Sequence, residues 1–197
     1  MEPVREARCL KCALPVPAAD EGAAVTCLEC RRKPPPLEWM DSWGRYDGPL
    51  EAALHALKFR GHDFLAESLA DLLFARMIEH GDLRFDALVP VPLHRRRLQR
   101  RGFNQAEILA RSLSKKTAVP VVGILRKTRD NEPQSTLQKR ARNANVKGAF
   151  VSRRHTVGMS LLIVDDVCTT GATLRSCARA LLAAGAERVC AVTVARA

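Results

Sequence analysis

The 197-residue chain has no apolar run near the ~20 residues that a membrane helix needs. No membrane partner is therefore expected. The opening Met1-Glu2-Pro3-Val4-Arg5 lacks the apolar core of a secretory leader, so the expected compartment is the cytoplasm. Aromatic residues are few, at 5%, which leaves little for stacking on the bases of a single strand. The five histidines, His55, His62, His80, His94 and His155, show no metal-ligand spacing and read as surface residues. No segment repeats, and none is of low complexity. Acidic residues are also short: 21 Asp and Glu face 32 Lys and Arg, for a net charge of +11. That excess suits polyanions such as nucleic acid, nucleotides or phosphorylated sugars.

What is present begins with cysteine. Seven cysteines without a leader argue against a disulfide framework. Four of them form Cys9-x-x-Cys12 and Cys27-x-x-Cys30, with 14 residues between the pairs. Each such turn aims two sulfurs to one side, and four thiolates close a tetrahedron with no open position. The reading is a structural zinc site, the metal supplying much of the folding energy of a small module. A redox dithiol would open a helix, and Pro15, Pro17 and Gly22 argue against one. Pro34-Pro35-Pro36 then makes a stiff spacer. The expected division is a zinc-ribbon-like module with its linker at 1–36 and a main domain at 37–197. Cys177 and Cys190 read as core thiols.

The main domain alternates patterns. Trp39 to Tyr46 and Phe85 to Pro92 read as strands, while Leu50, Leu54 and Leu57, then Leu65, Leu69, Leu72 and Leu73, recur at helical spacing. Asn104-Gln105-Ala106-Glu107 predicts a capping box, with Asn104 accepting from the third helical amide and Glu107 reaching back. Leu161 to Val164 is an unbroken apolar run, as a parallel strand covered on both faces requires. Leu174, Cys177, Leu181 and Leu182 predict one buried helical face, ended by Gly185 in a left-handed conformation. Arg188 to Val194 is a last strand. Strand–helix–strand order of this kind gives an α/β fold with a mostly parallel sheet flanked by helices.

The stretch Leu162 to Leu174 carries the most chemistry. A buried strand delivers Asp165 and Asp166 to its C-terminal end, where open α/β sheets bind ligands. The next loop, Cys168-Thr169-Thr170-Gly171-Ala172-Thr173, is small, rich in hydroxyls and opens a helix. Backbone amides at a helix N-terminus, helped by threonine hydroxyls, suit a phosphate, and Gly171 allows close approach. Adjacent carboxylates repel phosphate, so they should face ribose hydroxyls or a metal.

This stretch resembles the phosphoribosyl pyrophosphate (PRPP) signature of type I phosphoribosyltransferases. The likeness widens over nearly the whole chain. The cysteine pairs, Leu57-Lys58-Phe59-Arg60-Gly61, Val89-Pro90-Val91-Pro92-Leu93, Arg101-Gly102-Phe103-Asn104-Gln105-Ala106 and Asn145-Val146-Lys147-Gly148-Ala149-Phe150 resemble the ComF family of competence-associated proteins.

The resemblance implies that Asp165 and Asp166 bond the ribose hydroxyls while Thr169, Thr170, Gly171, Ala172 and Thr173 wrap the 5′-phosphate. It implies pyrophosphate, with magnesium, beside the turn at Leu93, His94 and Arg95. The segment Gln134 to Arg142 resembles a closing loop, where Arg140 or Lys139 would stabilise the departing pyrophosphate; the alternative for the same residues is an exposed amphipathic helix. Cys168 falls at a loop position that tolerates varied side chains and is not read as a nucleophile. Catalysis would move ribose 5-phosphate from PRPP to an acceptor, for which no pocket is identifiable. The alternative is a non-catalytic PRPP-sensing accessory that meets single-stranded DNA during uptake, through the zinc module and Arg95, Arg96, Arg97, Arg100 and Arg101.

Overall fold

The computed structural model describes residues 7–16, 25–59, 64–81, 84–128 and 148–197. The elements, in chain order, are α1 (Leu28–Arg32), β1 (Met40–Arg45), α2 (Gly48–Phe59), α3 (Leu65–Glu79), β2 (Ala87–Pro90), α4 (Arg95–Arg101), α5 (Gln105–Thr117), β3 (Leu125–Lys127), β4 (Phe150–Ser152), β5 (Ser160–Cys168), α6 (Ala172–Ala183) and β6 (Arg188–Arg196). Four strands form a wholly parallel sheet in the order β1-β6-β5-β2. β3 and β4 make a separate antiparallel ribbon.

The long apolar run behaves as its composition dictates. Alternate residues of β5 enter two different cores, because successive side chains point to opposite faces. Leu161 and Ile163 pack with Leu174, Cys177 and Leu181 of α6. Leu162 and Val164 pack with Leu54 and Leu57 of α2, Leu69 and Leu73 of α3, and Leu109 and Leu113 of α5. The result is three layers, with β5 and β6 at the centre. Cys177 and Cys190 are fully buried, as core thiols should be.

Helix ends follow local chemistry, and the structure corrects four details of the sequence reading. Asn104 does cap α5, but its Oδ1 accepts from the second helical amide, that of Ala106, at 3.2 Å. Glu107 does not reach back; it pairs with Arg111 one turn on, at 2.7 Å. The α6 stripe is narrower than expected, since Leu182 is exposed while Leu174, Cys177 and Leu181 are buried. Gly185 ends that helix with φ +102°, and a Cβ there would meet Val157 Cγ2 at 2.9 Å. His80 is no surface residue: its side chain is 13% exposed, and its Nε2 lies 3.2 Å from the buried carboxylate of Asp41.

The cysteine turns lie against the main domain. Cys9, Cys12 and Cys30 belong to the same core cluster as Leu161 and Ile163. The Met40 amide donates to the Leu10 carbonyl at 2.8 Å, and Lys11 Nζ donates to the carbonyl of Glu38 at 2.6 Å.

Candidate functional site

β5 carries the acidic pair to the C-terminal edge of the sheet. Asp165 and Asp166 are both buried there. Asp165 Oδ1 accepts from the Asp166 amide at 2.9 Å. Burial first, and then the neighbouring Asp166 charge, push the Asp165 carboxyl well above the usual carboxylate range, against the pull of Lys58.

Asp166 reaches the α2–α5 side. Its Oδ2 is ion-paired with Lys58 Nζ from the last turn of α2, and its Oδ1 meets Gln105 Nε2 at 3.5 Å. Gln105 Oε1 in turn accepts from Arg101 Nη1 at 2.5 Å. A chain of polar contacts therefore runs from α2 through the carboxylate to the α4–α5 junction. Arg101 is partly desolvated, which lowers its pKa, and the Asp166 charge opposes that fall.

The loop after β5 has the predicted form. Gly171, at φ +73°, is the residue before α6 and has no side chain with which to cap it. Thr170 Oγ1 accepts from the Ala172 amide at 3.3 Å, while Thr169 is exposed and Thr173 half-buried. No acidic side chain stands in the first turn, so the amides beyond Ala172 face an approaching anion with no carboxylate beside them in that turn. Cys168 is not poised as a nucleophile. Its Sγ accepts from Arg196 Nη1 at 2.8 Å, and burial pushes the thiol up.

The second turn leaves the neighbouring strand at the same edge. β2 runs parallel to β5 with Pro90 beside Val164, and the Val91 amide donates to the Val164 carbonyl at 3.0 Å. Asn104 Nδ2 donates to the Val91 carbonyl at 3.0 Å and holds the turn. Leu93 and His94 are half-buried and Arg95 is exposed. His94 Nδ1 caps α4 by accepting from the Arg96 amide at 3.4 Å. No residue of α4 is buried.

The structure thus brings together Asp165, Asp166, the Thr169–Thr173 loop and the Leu93–Arg95 turn. Arg140 and Lys139 lie outside the described residues. Lys58 carries no assigned role in the sequence reading, although it falls within a segment that resembles ComF proteins. A lysine in a predicted helix end gives no hint of its partner 108 residues away; only the packing of α2 on β5 reveals it.

The four cysteines form a second site. Their sulfurs all lie within 4.8 Å of one another, the one such cluster of ligating groups among the described residues. Cys12 Sγ and Cys27 Sγ are 3.8 Å apart. Zinc–sulfur bonds of about 2.3 Å at tetrahedral angles place sulfurs about 3.8 Å apart, so donor set and spacing fit that ion. Burial raises the Cys12 thiol to about 11, whereas amide donors at Cys27 and Lys11 outweigh burial at Cys9 and bring it to about 7.

Comparison with known proteins gives the family. The family model for the phosphoribosyl transferase domain matches residues 73–197. The chain is 34% identical over 186 residues to the DNA utilization protein YhgH of Escherichia coli strain K12, covering 92% of this chain and 80% of that one. It is 31% identical over 174 residues to competence protein F of Haemophilus influenzae, covering 84% and 76%. A solved structure, the UMP synthase of Leishmania donovani, is 18% identical with a TM-score of 0.42, over 71% of this chain and 24% of that one; so distant a likeness adds nothing. The match to the family model and the two curated relatives settle the assignment: the chain belongs to the phosphoribosyl transferase domain family, among the ComF-type proteins.

Proposed function

We propose that the protein binds PRPP at the C-terminal edge of its sheet. Asp165 and Asp166 take the ribose hydroxyls, the Thr169–Thr173 loop takes the 5′-phosphate, and the Leu93–Arg95 turn lies beside the pyrophosphate. One observation carries this reading. A buried acidic pair runs through a left-handed glycine into the N-terminus of α6, next to a second turn on the adjacent strand.

Magnesium, when bound, would offset the pyrophosphate charge. Among the described residues no three carboxylates converge, so the ion would be held mainly by pyrophosphate oxygens. In a transfer reaction the acceptor attacks C1 of the ribose, the C1–oxygen bond breaks, and pyrophosphate leaves with the electron pair. Arg140 would then stabilise the leaving group. The cysteine cluster would hold zinc as a structural ion.

Calorimetry with PRPP and magnesium tests the site. Asp165→Ala and Asp166→Ala each delete a charge-assisted bond worth about 1.5–3 kcal/mol, so affinity should fall roughly tenfold to hundredfold. Unchanged binding in both variants would show the site to be misplaced.

A second reading, a PRPP-sensing accessory that handles single-stranded DNA in uptake, draws support from the exposed arginines of α4 and from the names of the relatives. It shares the PRPP site and differs in having no acceptor.

A further inference from the structure

We propose that Lys58 is a specificity-determining residue that recognises the anionic group on C1 of the sugar and so separates PRPP from ribose 5-phosphate. The assignment rests on the PRPP reading above.

Three observations lead there. The first is position. Lys58 lies in the last turn of α2 on the side of the sheet covered by α5, and its charge is paired with Asp166 Oδ2 at the ligand edge. The second is geometry. The pairing is one of charge, for Asp166 Oδ2 is buried and accepts no aligned hydrogen bond among the described residues. An ammonium has three donors. The Tyr46 ring lies 5.9 Å from Nζ and takes up charge rather than a specific proton. Donors of Lys58 thus remain for a ligand, and its side chain is 19% exposed at that edge.

The third is charge balance. Asp166 is approached by Lys58 directly and by Arg101 through Gln105. Two cations around one carboxylate leave a surplus, and burial and the neighbouring Asp166 charge disfavour the ionised Asp165 that would cancel it. A surplus positive charge in a desolvated edge favours an anion there. The polar chain leads from Lys58 to the α4–α5 junction, which holds the turn after β2. The anion that lies between these points is the group on C1, while the 5′-phosphate is met by the loop at the start of α6.

The test is calorimetric titration of the full chain with PRPP–magnesium and, separately, with ribose 5-phosphate. Lys58→Met should lose roughly tenfold to hundredfold in affinity for PRPP, as deletion of a charge-assisted bond implies, and less than about threefold for ribose 5-phosphate. Lys58→Arg should recover most of the loss. Because Lys58→Met strands a buried carboxylate, Lys58→Met/Asp166→Asn is compared with Asp166→Asn alone; the double variant should again lose PRPP selectively. Equal loss for both ligands, or no loss, overturns the assignment and leaves the PRPP site standing. A wild-type protein that binds neither sugar phosphate overturns the PRPP reading and this assignment with it.

Discussion

The His80 ring lies flat on Trp39, with centroids 4.0 Å apart and planes 3° from parallel. The stack turns His80 Nε2 toward Asp41, a buried carboxylate also approached by Arg8 and Arg76. Burial tends to raise the Asp41 pKa, but the His80 hydrogen bond, followed by the Arg76 charge, brings it below the ordinary value. A depressed carboxylate stabilises the fold above its unfolded pKa, about 3.9, and that contribution is lost as pH falls through the folded value. His80→Ala should therefore cost about 1–3 kcal/mol and move the acid unfolding midpoint to higher pH. Circular dichroism against pH reads both, and an unmoved midpoint would contradict the role assigned to His80.

Asp165 obeys the opposite sign. A carboxyl whose folded pKa is raised is tolerated when protonated, and its contribution is lost as pH rises through that value. Asp165→Asn should thus stabilise the unliganded protein at pH 7–8, with the gain vanishing near pH 4, while PRPP affinity falls. Melting curves at the two pH values decide it, at about 2–4 °C per kcal/mol for a chain of this size. A melting temperature that drops at pH 7 would mean that the carboxylate is compensated in the fold.

These two sites show where sequence is readable. The acidic pair and its loop were plain in the order of residues, because a strand end, a glycine turn and a helix start are local events. The central strand and the CxxC pairs were plain for the same reason. His80 departs from the surface expectation, since what buries it is Trp39, 41 residues earlier, and no local pattern records that stack. Lys58 stayed silent for the same cause. Glu107 misled in another way: two partners competed for it, and Arg111 one turn away won over the helix start.

Zinc content gives a direct reading of the cysteine cluster. Protein purified under reducing, chelator-free conditions should carry one zinc per chain by elemental analysis. Cys9→Ser should lower that content and destabilise the first ~35 residues, seen as faster amide exchange there. Near-zero zinc in the wild type would refute the assignment.

The arginine helix separates the two functional readings. Arg95, Arg96 and Arg100 are exposed, whereas Arg101 is committed to Gln105. Replacing the three exposed arginines with Gln should lower the salt slope of single-strand binding by roughly two units, at about 0.7 per phosphate contact. A variant with the wild-type slope places the DNA surface elsewhere. Pyrophosphate release in a screen of nucleobases would then favour the transferase.

The contact between the cysteine turns and β1 reaches beyond folding energy. β1 is the outermost strand on its side, and there the Leu10 carbonyl accepts from the Met40 amide while Arg8 donates to the Ser42 carbonyl. The cysteine turns therefore lie along a rim whose unpaired peptide groups would otherwise invite a strand from another molecule. An ion that holds those turns in place would also keep the sheet from growing sideways. Its removal would first be felt as self-association of otherwise folded chains.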